Sequence, residues 1–483
     1  MGVNFLSFMV ELWKSWEEGV SKMSYKDNIA EELEKAPIGK LLFKLALPMV
    51  VAQVVNLLYN VVDRIYIGHM PDVGSTALTG VGICFPIICL INAFAMLIGQ
   101  GGAPRSSIAM GNGNNKEAER ILGNCVTSLV VVAIGLTVLI QIFGKDMLML
   151  FGASENTIIY GLPYMRIYAF GSIFVLLSLG LNLSITAQGF TRFSMINVLV
   201  GAIVNIILDP ILIFGFDMGV TGAAIATIFS QAVSAAMVLR FLTGKKTILR
   251  IRRENLRVSR KVLLPILALG IAPFIMQATE AILSISFNYS LQKYGGDIAV
   301  GAMTIATTVL QMIWIPANGI GQGAQPIISY NYGAGNVQRV KKAVRLMMFA
   351  ICIYMVSFWA VVELFPQIFI RLFSNGSSEL METTTWTLRV YMASMGLFGI
   401  QTTVQQTFIA TGQAKASLFI ACLRKVILLI PCIFILPNFF ENKVFAVFLA
   451  EPVSDFISVT VAGIIFLIIF PKMMQRLAEK SGQ

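Results

Sequence analysis

The chain has 483 residues, of which 57% are hydrophobic and only 13% charged, and its formal net charge is +11. That composition excludes an ordinary water-soluble globule. The excess of Lys and Arg would suit nucleic acid if it formed one surface, but it falls in the connections between apolar stretches, as in a protein lying in a bilayer.

Residues 1–36 mix charges with apolar positions and end in no small-residue cleavage site, so they read as a cytoplasmic N-terminal segment and not as a signal peptide. Phe5, Phe8, Met9, Leu12, Trp13 and Trp16 recur there at helical spacing, as in a helix resting on a membrane surface. A chain beginning at Met23 fits the sequence equally well. From Leu41 onward, apolar runs of about 20 residues recur, each enough to cross ~30 Å of hydrocarbon as a helix. The spans are predicted at 41–66, 77–99, 121–143, 159–187, 193–214, 221–242, 262–291, 298–323, 345–364, 385–411, 417–437 and 445–470.

Twelve spans imply an all-α polytopic membrane protein. Residues 37–242 make an N-lobe of helices 1–6, 243–261 a basic cytoplasmic linker, 262–470 a C-lobe of helices 7–12, and 471–483 a cytoplasmic tail. With both termini inside, about 28 of the 36 Lys and Arg residues are cytoplasmic and about four lie opposite. The linker run from Arg240 to Lys261 reads as a topological anchor on anionic lipid.

The chain is duplicated. Ile98–Arg120 aligns without a gap to Ile320–Lys342, with nine of 23 positions identical. Arg166 and Tyr168 answer Arg389 and Tyr391, and Gly189 with Ser194 answers Gly412 with Ser417. Because each copy holds six spans, the halves enter the membrane in the same direction as a parallel repeat of two pseudo-symmetric six-helix bundles. That plan suits a transporter whose bundles rock around a central cavity.

Ionisable groups inside spans cost at least ~2.5 kcal/mol, so each marks a candidate site. On the first span Gln53, Asn56, Asn60 and Asp63 share one helical face. On the fifth, Asn205 and Asp209 lie one turn apart, and Pro210 frees the carbonyl of Ile206. Tyr164 and Thr227, on spans running the other way, reach a similar depth in the outer half. These hard oxygen donors suit Na⁺, while either carboxylate could instead carry a proton.

In the second half the polar residues are Glu280, Gln311, Asn318, Gln322, Gln401 and Gln405. Glu280 reads as a second coupling carboxylate, a partner for a cationic substrate or a hydrogen-bonded inter-helix contact, and the glutamines as cavity lining. Arg166 and Arg389 either snorkel to the outer interface or balance the carboxylates. Glu451 and Asp455 are expected to cap the start of the last span. The intramembrane charges read as mainly acidic. All six cysteines fall in or beside apolar spans as small hydrophobes, and the one histidine, His69, sits in an outer loop, so no histidine relay exists.

Four segments resemble the multidrug and toxic compound extrusion (MATE) transporters, particularly the bacterial branch related to DNA-damage-inducible protein F. They are ALPMVVAQVVNLLYNVVDRIYIG around Asp63, NIILDPILIFGFDMGVTGAAIAT from Asn205 to Thr227, IGQGAQPIISYNYGAGN from Ile320, and EPVSD from Glu451 to Asp455. The resemblance, covering residues 37–470, implies two lobes around a V-shaped cavity and export of lipophilic organic cations driven by Na⁺ or H⁺, with no other cofactor. It places the cation site at Asp63, Asn205, Asp209, Thr227 and Tyr164, with Na⁺ held at the first four. Another branch uses C-lobe carboxylates, one of which looks like Glu280, but its aspartate on span ten is replaced here by glutamines of the 401–406 region. The implied setting is the bacterial cytoplasmic membrane, with no nucleic acid, no enzyme activity, no obligate protein partner and a monomer sufficing. The nearest rival is a lipid-linked oligosaccharide flippase of the same superfamily, which would carry a strongly cationic cavity. A major-facilitator carrier would need an Asp-Arg-x-Gly-Arg loop that 101–120 lacks, and no enzyme or channel constellation is present.

Overall fold

The computed structural model describes residues 26–71, 73–373 and 378–481, which are helical with no strand among them. The surface-helix reading of Phe5 to Trp16 lies outside the described residues. A short helix, Lys26–Lys35, precedes α1 (Ile38–Gly68). Then come α2 (Thr76–Gly111), α3 (Asn115–Leu150), α4 (Glu155–Ala187), α5 (Thr191–Pro210, prolonged by a π segment Ile211–Gly215) and α6 (Gly219–Thr243). The 74-residue run Arg260–Gly333 reverses at Gly296, whose φ of 61° suits only a residue without Cβ, giving α7 (260–295) and α8 (297–333). α9 is Val337–Leu364 and α10 is Ser378–Met392 with Phe398–Ala410. α11 runs from Ala414–Cys422 through a π segment Leu423–Leu429 to Asn438, and α12 is Lys443–Ser481.

These are twelve transmembrane helices in two pseudo-symmetric bundles. The tenth differs from its predicted form. It breaks at 393–397, where Gly396 packs against the Trp359 indole and Ser394 turns to Asp455 (3.4 Å).

Duplication is visible in local chemistry. α3 is capped by the Asn114 side chain, which accepts from Glu117 N at 3.1 Å, and α9 by Asn336, which accepts from Arg339 N at the same distance. The glycines just before the two caps, Gly113 and Gly335, both have φ of 74°.

Each lobe has its own apolar core. One gathers Ile91, Leu122, Leu129, Leu181 and Phe193. The other gathers Ile313, Ile328, Met347, Leu388 and Phe448. α1 is shared: Leu41, Leu42, Leu45 and Ala46 pack in the C-lobe core, while Ile67 packs in the N-lobe core. Outside, Val131, Ile134, Val138 and Ile142 form an exposed stripe at helical spacing on α3, as a lipid-facing helix requires.

The 243–261 linker is not a free basic loop. Gln188 Oε1 accepts from Thr247 Oγ1 and Leu249 N (both 2.8 Å), and Glu119 pairs with Arg252 at 2.6 Å. These contacts fold it across the ends of α3 and α4.

The lobes meet at this linker end through glycines. A Cβ on Gly270 would strike the Leu97 backbone, and one on Gly101 would strike the Ile266 carbonyl. Gly323 lies against the backbone of Ala46, and Gly111 and Gly333 against Tyr330 and Ile108. Gly101 and Gly323, like Gly111 and Gly333, are repeat-related, so the pseudo-symmetry maps this interface onto itself. Gln53 Nε2 adds a hydrogen bond to Gln322 Oε1 across it at 3.0 Å.

Candidate functional site

In the half of the N-lobe far from the linker, α1, α4 and α5 bring together Asp63, Tyr164, Asn205 and Asp209. Asn205 and Asp209 are fully buried, and Asn205 Nδ2 donates to Asp209 Oδ1 at 3.3 Å. Pro210 and the π segment follow, as π turns often do at functional sites. Asp63 and Asp209 are close enough to feel each other's charge, and the buried Tyr164 lies within electrostatic range of both. Tyr164 also stacks on Tyr168 with ring centroids 6.2 Å apart.

The acceptors outnumber the donors. Asp63 Oδ1, Asn205 Oδ1 and Asp209 Oδ2 are buried without a hydrogen-bond partner. Neither aspartate joins an ion pair among the described residues. Buried carboxylates in that condition are strongly unfavourable unless a proton or cation completes them. The donors are carboxylate and amide oxygens with a phenol nearby, and no group of three His, Cys, Asp or Glu assembles among the described residues. The set fits a monovalent hard cation or a proton better than a transition metal.

Thr227 is half-buried on α6, where its carbonyl accepts from Ser230 Oγ at 2.8 Å, and it makes no hydrogen bond to these four residues. Of the α1 stripe, Gln53 turns to the opposite lobe, Asn56 is half-buried, and Asn60 lies outside the described side chains.

The C-lobe departs further from the expectation. Glu451 and Asp455 do not cap α12. The helix begins two turns earlier, at Lys443, which leaves both carboxylates inside it, 4% and 1% exposed. Arg424 clamps them, with Nη2 to Glu451 at 2.8 Å and Nε to Asp455 at 2.6 Å, and its guanidinium lies 4.4 Å from the Phe398 ring centre. Next to it, Lys425 pairs with Glu280 and donates to the Met276 carbonyl at 2.7 Å.

The intramembrane charges therefore include two bases, although the acids Asp63, Asp209, Glu280, Glu451 and Asp455 still outnumber them. Sequence reasoning passed over Arg424 and Lys425, although two adjacent cations midway along the 417–437 apolar run were a signal for it. Both line a pocket with Trp314, Phe398, Gln401, Gln405 and Gln406. Gln311 is exposed and does not line it. Arg166 and Arg389 are exposed near the far end, Arg389 donating to the Glu363 carbonyl at 3.2 Å, and among the described residues neither forms an ion pair with Asp63, Asp209 or Glu280.

Two duplicated helical bundles, a glycine-tight seam at one end and ionisable groups held at membrane depth define a polytopic membrane transporter. The MatE family model matches the chain twice, over residues 48–211 and 272–435, and the chain belongs to that family. Among its relatives, the multidrug export protein MepA of Staphylococcus haemolyticus is 26% identical over 435 residues, 90% of this chain and 95% of that protein. The structure of the MATE multidrug transporter DinF-BH superposes with a TM-score of 0.82 at 31% identity, covering 89% of this chain and 95% of that one. An outward-facing MATE family transporter of the MOP superfamily shares the fold, with a TM-score of 0.84 at 20% identity over 94% and 98% of the two chains.

Proposed function

We propose that this transporter is an antiporter of the bacterial cytoplasmic membrane that exports lipophilic organic cations in exchange for Na⁺ or H⁺ by alternating access of its lobes. The observation that carries the reading is the set of partnerless buried oxygens on Asp63, Asn205 and Asp209, which one small cation or proton would complete. The positive-inside rule assigns the linker end and both termini to the cytoplasm, so the glycine seam is the closed cytoplasmic side. α1 supplies the mechanical link. Its cytoplasmic half belongs to the C-lobe core and its outer half carries Asp63, so charge neutralised at Asp63 acts on a helix that spans both lobes. One chain supplies both lobes, which is enough for rocking without a second copy. The drug-exporting names of its relatives support the substrate class.

A flippase for anionic lipid-linked sugars would need unpaired cations in its cavity. Arg424 and Lys425 are held by Glu451, Asp455 and Glu280, three acids to two bases, so the cluster offers no surplus positive charge.

The test is efflux of a fluorescent organic cation in everted vesicles under a Na⁺ gradient or a pH gradient imposed separately. Asp63→Asn is expected to lower gradient-driven transport about 100-fold, the equivalent of about 2.7 kcal/mol of lost coupling. The gradient that drives the wild type names the ion. Transport under neither gradient, or full activity in the variant, would sink the proposal.

A further inference from the structure

The two lobes are copies of one design, yet they treat charge in opposite ways. In the N-lobe, α5 brings acceptors, and its carboxylate stays without a basic partner. In the C-lobe, the repeat-related α11 brings donors. Arg424 and Lys425 are neighbours on the π segment Leu423–Leu429, and both turn inward, with side chains 11% and 5% exposed.

Lys425 Nζ sits on two acceptors that face it from α7, the Glu280 carboxylate and the Met276 carbonyl, one turn apart. A carboxylate and a backbone carbonyl together are the oxygen ligands that a hard monovalent cation takes. The Glu280 side chain is 45% exposed, so it also reaches open space beside the buried ammonium. The surroundings carry further acceptors. Gln405 and Gln406 each commit their NH₂ to protein oxygens, leaving a buried carbonyl oxygen without a donor. With three acids to two bases, the cluster is one positive charge short when all five groups are ionised.

We infer that the Lys425 ammonium is a tethered cation permanently filling a C-lobe cation site made by Glu280 and the Met276 carbonyl, at positions of the repeat other than those of Asp63, Asn205 and Asp209 in the N-lobe. The untethered ligand of that site is a small primary ammonium ion. The occupancy rests on C-lobe geometry alone. Its consequence, that ion exchange is confined to one lobe, rests on the N-lobe coupling reading.

The test is equilibrium binding of radiolabelled propylammonium to the full-length protein in detergent, carried out in an Asp63→Asn background that removes one of the two N-lobe carboxylates, with whatever binding Asp209 retains read as the baseline of the Asp63→Asn parent. Lys425→Ala removes the ammonium and most of its stem and is expected to bind propylammonium saturably, at least about tenfold above the Asp63→Asn parent. Adding Glu280→Gln is expected to abolish that binding. Propylammonium should also raise the unfolding temperature of Lys425→Ala and leave that of the parent unchanged, which a merely structural lysine would not produce. If Lys425→Ala folds poorly, recovery of folded protein should improve when propylammonium is present during purification. Folded Lys425→Ala that binds no more than the parent, binding that survives Glu280→Gln, or a recovery indifferent to propylammonium would each overturn the inference. None of these results bears on whether Asp63 couples transport, and a coupled Asp63→Asn transporter would leave them readable.

Discussion

Arg424→Met is expected to destabilise the protein by about 3–5 kcal/mol, the usual result of removing one partner from a buried ion cluster. Methionine keeps much of the volume and the contact with Phe398, so the loss is electrostatic. Glu451 and Asp455, one turn apart on α12 and almost fully buried, would face each other with no cation between them. Thermal unfolding in detergent should show a large drop at neutral pH. The drop should be greatest at alkaline pH, where neither carboxylate can take up the missing charge as a proton. The triple variant Arg424→Met/Glu451→Gln/Asp455→Asn removes all three charges and is expected to recover most of the loss, because a buried cluster rarely outperforms a neutral packing of the same shape. A single variant as stable as wild type would mean that water reaches the cluster freely. A triple variant no better than the single one would mean that packing around the guanidinium, and not charge, is what matters.

How much of this was legible beforehand depended on the range of the interaction. The spans were legible because bilayer thickness imposes a length that sequence must match. Both the Gly113–Asn114 turn and its copy at Gly335–Asn336 are local motifs that duplication preserved. Asp63, Asn205 and Asp209 were legible because carboxylates and amides at helical spacing within apolar runs stand out against their background. The role of Glu451 and Asp455 was not, since the same residues read as a helix cap until α12 is seen to begin at Lys443. Their partner lies 27 and 31 residues away on another helix, and no periodicity within α12 announces it. Nor could sequence show that α1 belongs to two cores, since that depends on which lobe each of its turns meets. The break in α10 was hidden for a related reason. Its residues 393–397 are as apolar as a continuing helix, and the contacts that favour the turn, with Trp359 and Asp455, come from elsewhere in the C-lobe.

Gly270→Leu is expected to stop transport, with a loss of about 100-fold or more, while the protein still folds and inserts. The clash falls between lobes: the Leu97 backbone occupies the place of any Cβ at 270, and Ile266 and Gly270 in turn fill the place of a Cβ at 101. Backbone cannot move aside as a flexible side chain can, so the lobes must separate at the linker end. The clash lies at the seam, where Val262 and Ile266 of α7 join the N-lobe core. A penalty of only about 3 kcal/mol on the sealed state already shifts the balance between two conformations about 150-fold. The shift can be read with a cysteine placed at Ser107, a fully buried position whose hydroxyl reaches the Pro326 carbonyl across the seam at 3.5 Å. Maleimide labelling of that cysteine should quicken at least about tenfold in the Gly270→Leu background. Gly135 on α3 supplies the contrast, because its Cβ would meet nothing within 4 Å. Gly135→Leu should therefore leave both labelling and efflux as they were. Unchanged labelling with normal efflux in Gly270→Leu would show that the lobes need not close at this seam. Fast labelling with transport lost would show that the backbone contact at Gly270 is a condition of the closed state, so that the repeat-related glycines limit how large a residue the seam at the linker end can carry.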